Sequence, residues 1–263
     1  MSSRRRHSAA ETKQRDAVVA TSVATVSLAA PAIAGERHKR LPAEEHFHWR
    51  AGEITRLESF SDVVFGFALT LLIISLDVPR SYDLLMADLR DFIPFAACFL
   101  CLVSIWRVHY IFSRRYGLED TYTVFLNMVL LLVVLFYVYP LKFLFSFTFS
   151  LLTEGGDISF HHASVLVQLF SLGFAALYLL FTLMYAHAGR LSGKLELNAV
   201  ERQKTLDMTQ LNAAFCAVGI LSFGVAFKNP IWGGLILNII VPINVIHTFV
   251  AKKRIKRLLA AGA

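Results

Sequence analysis

The chain has 263 residues, of which 56% are hydrophobic and only 17% charged, with a mean hydropathy of +0.56 and a formal net charge of +7. That balance excludes an ordinary soluble domain of this size and points to an integral membrane protein. Three cysteines, Cys98, Cys101 and Cys216, all fall within apolar stretches and imply no disulfide framework.

Residues 1–52 read as a flexible basic cytoplasmic arm, with "RRRHS", "ERHKR" and Arg50. Inside it, "DAVVATSVATVSLAAPAIAGER" resembles a secretory signal. Removal at Ala34 would place "ERHKR" and Arg50 outside, against the charge of every later loop, so an uncleaved arm is expected. A spanning helix needs about 20 apolar residues to cross about 30 Å of hydrocarbon. Six windows of that kind follow, near 58–78, 92–113, 122–140 with an apolar extension to 152, 162–188, 207–227 and 230–250. The expected fold is therefore all-α: an integral membrane bundle of six transmembrane helices over residues 53–251, with a basic cytoplasmic tail at 252–263.

Charge sets the orientation, because Lys and Arg near helix ends stay on the cytoplasmic side. "SRRYGLED", "GRLSGKLELNAVERQK" and the tail "KKRIKR" are basic, whereas "RSYDLLMADLRD" and "TEGGDISFHH" are not. Both termini are thus expected in the cytoplasm, as an even number of spans requires. The positive charge suits anionic membrane lipids rather than nucleic acid.

The first window, "TRLESFSDVVFGFALTLLIISLDVP", opens on Arg56, Ser61 and Asp62 before turning apolar. Ionisable groups in hydrocarbon are costly unless paired or hydrated. The second window carries Trp106 and His109 three residues apart in "SIWRVHYIFSRR", and the third carries Asn127, all at the same expected membrane depth. Arg56, Ser61, Asp62, Trp106, His109 and Asn127 accordingly read as a structural polar network that fixes the first helix. Beyond them, Phe60, Val63, Phe67, Leu71, Ile74 and Val78 share one helical face, and Ser59, Gly66, Thr70 and Ser75 another.

Further along, Pro140 is expected to end or kink the third span, Lys142 to snorkel from it, and Pro242 to bend the last helix. The histidines of "EEHFHWR" and "FHH" flank spans without a convergent ligand set, and no metal site is expected. Gly-rich phosphate loops, HExxH and G-x-S-x-G are all missing from the sequence, so no enzyme and no cofactor is expected. No span carries repeated arginines, which argues against voltage sensing.

"RLESFSD" resembles the RxxxFSD signature that opens the first helix of the endolysosomal potassium channel family and its prokaryotic relatives. "TLLIISLDVP", "WRVHYIF" and "FLNMVLLLVVLFYVYP" are also similar to that family's pattern, and the likeness runs over residues 53–250. The resemblance implies a potassium-selective leak channel in the cell membrane, a homotetramer in which four first helices line a central pore. It implies constriction positions at Phe67, Leu71 and Ile74 and a hydroxyl concerned with selectivity at Thr70. Phe67 stands where the relatives usually carry isoleucine; four such rings narrow the path unless they rotate aside. An apolar collar of this kind gates by dewetting, with potassium ions as the permeant species. The alternative function is a proton-coupled secondary transporter or exchanger that uses Asp62 and His109 as its proton site, though neither inverted repeats nor matching broken helices are visible.

Overall fold

The computed structural model describes residues 47–74, 81–82, 92–154 and 160–260. The described helices are α1 (Arg56–Ile74), α2 (Phe92–Tyr116), α3 (Thr121–Glu154), α4 (Phe160–Arg190), α5 (Ala199–Ala226), α6 (Pro230–Leu237) and α7 (Ile240–Ala260). Hydrocarbon offers backbone groups no water, so a chain this apolar satisfies them within helices. Among the described residues, six stretches are long and apolar enough to cross a membrane, α6 and α7 together making the last. The signal-like stretch and most of the basic arm lie outside the described residues.

Local sequence sets the helix starts. Thr55 Oγ1 accepts the Glu58 backbone N–H at 3.1 Å, capping α1. Asp120 holds the first turn of α3 through the Thr123 hydroxyl, which donates to it at 2.6 Å. At α5 a complete capping box forms: Asn198 Oδ1 accepts from the Glu201 N–H at 2.8 Å, and Glu201 Oε2 accepts from the Asn198 N–H at 3.1 Å. That box starts α5 at Ala199, eight residues before the apolar window read from the sequence. The polar "VERQKTLD" is one more helical stretch, with Val200, Glu201, Thr205 and Asp207 turned inward.

Proline effects differ at two sites. α3 runs unbroken through Pro140 to Glu154. The last span, by contrast, breaks at Asn238–Ile239, where Asn238 N–H and Ile239 N–H turn to carbonyls three residues back, Leu235 and Ile236. The cause lies four residues on, since Pro242 lacks the N–H that would bond Asn238 and its ring crowds that carbonyl. The bend expected at Pro242 thus appears one turn earlier.

The core joins α1 to α4 through Phe65, Ala68, Leu72, Leu102, Phe112, Leu130, Val134, Leu177 and Phe181. α4 and α5 approach through small residues, as helices in lipid do. A Cβ at Gly219 would lie 3.0 Å from the Ala175 backbone nitrogen. Ser222 donates to the Gly233 carbonyl at 2.8 Å, which leaves it to accept from Ser171 at 2.7 Å. α7 buries no residue, but Arg254 near its end donates to Asp207 of α5 at 2.9 Å.

One boundary needs correction. Residues 47–51, read from the sequence as part of the arm that ends at 52, form a strap packed on the bundle. Phe47 and Ala51 are buried, Arg115 lies over the Phe47 ring at 4.9 Å, and Ala51 N–H bonds the Arg114 carbonyl at 3.4 Å. Arg50 donates to Glu201 Oε2 at 2.6 Å and to the Glu196 carbonyl at 3.1 Å. A strap residue Ala51 also explains Gly117: its φ of +56° suits glycine, and a Cβ there would press within 3.3 Å of the Ala51 backbone. Aromatic and bidentate groups in "FHWR" were signals of burial that its basic neighbours obscured.

Candidate functional site

α1 divides lengthwise. Glu58, Ser61, Phe65, Ala68 and Leu72, spaced alternately three and four apart, are buried against α2 and α3. Ser59, Phe60, Val63, Gly66, Phe67, Thr70 and Ile74 are exposed, Phe67 at 62% and Ile74 at 70%, and Leu71 is half-buried at the edge. The two faces read separately from the sequence therefore adjoin as one bare side. Val78 and Ser75 lie outside the described residues.

At the base of α1 the polar side chains form two bonded units. In the first, buried unit, Ser61 Oγ donates to its own helix at Leu57 O, 2.8 Å away, and accepts from Asn127 Nδ2 at 2.9 Å; Asn127 Oδ1 meets His109 Nε2 at 2.6 Å. This triad ties α1, α3 and α2 together. In the second, exposed unit, Trp106 Nε1 donates to Asp62 Oδ1 at 2.8 Å. Arg56 is exposed and joins none of these bonds. Asp62 and His109 each face a different partner, so the structure does not pair them as the transporter alternative would need.

Sequence reasoning missed a buried ion pair beside the triad. Glu58 and Arg114 are both deeply buried, with Arg114 NH1 3.6 Å from Glu58 Oε2. Its signal was present: Glu58 lies three residues before Ser61 on the inward seam, and Arg114 five after His109. Also missed was Glu201, which gathers the His48 N–H at 2.7 Å, Arg50 and its own cap at the same end of the bundle.

Nearby, His187 Nε2 meets Asp120 Oδ2 at 2.9 Å. Burial pushes the Asp120 carboxyl up, but hydrogen bonds from Thr123 and His187 and the His187 charge outweigh it, leaving Asp120 below the ordinary carboxylate range.

Thr70 donates its hydroxyl hydrogen to Gly66 O at 2.9 Å. What it presents outward is oxygen lone pairs, the half of a hydroxyl that suits a cation.

Six apolar spans, a polar knot at one end and a first helix left bare along one side define a multi-pass helical membrane protein. The family model described as endosomal/lysosomal potassium channel TMEM175 matches residues 56–137, the stretch that holds α1, both bonded units and the first half of α3. A Marivirga tractuosa protein described as a potassium channel is 36% identical over 233 residues, covering 81% of this chain and 94% of that protein. The crystal structure of a variant of the potassium channel MtTMEM175, solved with a nanobody–MBP fusion, matches with a TM-score of 0.72 at 35% identity, over 81% of this chain and 100% of that one. A lysosomal potassium-selective channel TMEM175 homologue from Chamaesiphon minutus shares the fold at 19% identity and a TM-score of 0.53, over 73% of this chain and 96% of its own. The chain belongs to the TMEM175 potassium channel family.

Proposed function

We propose that this protein conducts potassium through a pore formed where the bare faces of several α1 helices meet, in a homotetramer of the cell membrane with both termini cytoplasmic. The observation that carries the reading is the division of α1: its hydrophilic base is bonded sideways into the subunit, while Phe67 and Ile74 remain 62% and 70% exposed above it. Lipid suits the apolar faces of the other spans equally well, but this face also carries Ser59, Gly66 and Thr70, and four copies around an axis would cover it. The proposed constriction is Phe67, Leu71 and Ile74, with Thr70 offering oxygen between them. A hydrocarbon collar expels water, and an ion crossing it must shed part of its hydration shell, which costs potassium less than sodium. A narrow, dry path of this kind leaks slowly. The relatives named as potassium channels support the choice of ion.

The test is potassium flux into liposomes that hold the full-length protein. The native chain should pass potassium down its gradient. Replacing Leu71 and Ile74 together by tryptophan should block that flux at unchanged protein insertion. Equal flux from the native and doubly substituted proteins would move the pore elsewhere, and no flux from the native chain would end the reading. Phe67→Ile measured alongside should widen the path and raise the potassium flux, and its reversal potential in mixed potassium and sodium reads the accompanying change in selectivity.

A further inference from the structure

The buried triad at the base of α1 fixes its own hydrogen positions. Ser61 spends its one hydrogen on Leu57 O, so it can only accept from Asn127, which places the Asn127 amide nitrogen toward Ser61 and its oxygen toward His109. A carboxamide oxygen only accepts, so His109 Nε2 carries the proton in the 2.6 Å contact. In the neutral ring Nδ1 is then a lone pair in need of a donor. His109 is 2% exposed, and Nδ1 has no hydrogen-bond partner among the described residues. Glu58, 4% exposed, presents a similar need: Oε2 is buried and unbonded, and Arg114 NH1, itself buried and unbonded, stands 3.6 Å away, an ion-pair distance too long for a hydrogen bond.

Both residues line one small cavity of about 20 Å³, whose other walls include Thr55, Ser113 and Thr123. A buried water needs roughly 10–15 Å³ and two to four polar partners. We infer that this cavity holds a single water molecule, which donates one hydrogen to His109 Nδ1 and the other to the Glu58 carboxylate. Two acceptors facing one space call for a ligand with two hydrogens to give. Water fits better than an ammonium or metal cation, because Arg114 already balances Glu58 and a second positive charge would be buried unpaired. The water joins the ion pair to the triad, making one continuous line from Arg114 through Glu58 and His109 to Asn127 and Ser61. The base of α1 is thereby held to α2 and α3 as a single hydrogen-bonded unit, whatever ion passes along its other face.

Nitrogen-15 NMR of histidine-labelled full-length protein in lipid bilayers tests this directly, with His109→Gln identifying the His109 signals by their loss. The native spectrum should show Nε2 protonated, Nδ1 at the position of a hydrogen-bonded acceptor, and magnetisation passing from water protons to Nδ1. Ser113→Val, which fills the cavity, should move Nδ1 to the position of an unbonded lone pair and leave Nε2 unmoved. A protonated Nδ1, or an unbonded Nδ1 in the native chain, would overturn the assignment. So would an Nδ1 signal that follows ammonium concentration, which would make the occupant a cation. Should Ser113→Val fail to insert, a high-resolution density map decides: a peak within hydrogen-bond distance of both Nδ1 and Oε2 supports the water, and an empty cavity removes it.

Discussion

Phe65 and Phe67 sit two residues apart on α1 and live in opposite surroundings. Phe65 is 3% exposed and touches the His109 ring, with centroids 5.6 Å apart; Phe67 is 62% exposed. The same contrast runs the length of the helix, from Glu58 to Leu72 on one side and from Ser59 to Ile74 on the other. A single subunit therefore needs only half of its first helix to fold, and the other half is free to serve an assembly. The sharpest way to break that comparison is to truncate each ring in turn. Phe65→Ala should cost about 3–5 kcal/mol of subunit stability, as core phenylalanines do. Phe67→Ala should cost close to none in a monomeric state while changing ion flux in the assembled one. Thermal unfolding in detergent, paired with liposome flux, measures both; equal destabilisation would mean the outer face packs within the subunit.

The inner face has its own internal division, between apolar contacts and the polar triad. Asn127→Leu keeps the branched outline of the side chain but strands the His109 Nε2–H, which should cost about 1–3 kcal/mol for a buried donor left unpaired. The reading is again the unfolding midpoint, and the loss should exceed that from a like-sized change at exposed Met128.

How much of this was visible beforehand depends on the kind of signal. The spans were legible because about 20 apolar residues in a row have few other uses. Ser61, Asp62, Trp106, His109 and Asn127 stood out because polar groups are rare inside such runs. Their separation into a buried triad and an exposed Trp106–Asp62 bond was not legible, since spacing gives a side chain's direction on its own helix but not the rotation of the neighbours. Glu58 and Arg114 were lost for a different reason: charged residues near a span's end look like interface snorkels until the packing shows them enclosed. The strap was hidden likewise, because its residues gain burial only from partners far along the chain: Phe47 from Arg115 and Tyr116, Trp49 from Tyr110 and Arg114, and Arg50 from Glu201.

Outside the spans, Asp120 extends the comparison to the end of the bundle where the triad sits. Its folded pKa lies below its unfolded value of about 3.9. Such a group stabilises the fold above the unfolded pKa and loses that contribution as pH falls through the folded one. Native protein should therefore be more stable than Asp120→Asn near neutral pH, by no more than about 1 kcal/mol for a partly exposed pair. The two unfolding curves should converge as pH falls below about 4. A gap that persists in acid would assign the stabilisation to the cap on α3 rather than to the carboxylate charge.

The smallest expected effect separates fold from assembly most cleanly. A Cβ at Gly66 would meet nothing within 4 Å in the subunit. Its neighbours on the outer face, Val63, Phe67 and Thr70, are exposed. Alanine there should leave the unfolding midpoint unchanged or raise it, since glycine within a helix is disfavoured by up to about 1 kcal/mol. The carbonyl of Gly66 also anchors the Thr70 hydroxyl, so a methyl group beside it narrows the very surface that the proposed pore exposes. Flux should then fall while stability holds. A stability loss without any change in flux would place Gly66 against lipid or a neighbouring helix in the assembly, and would turn the bare side of α1 from a conduction path into a packing surface.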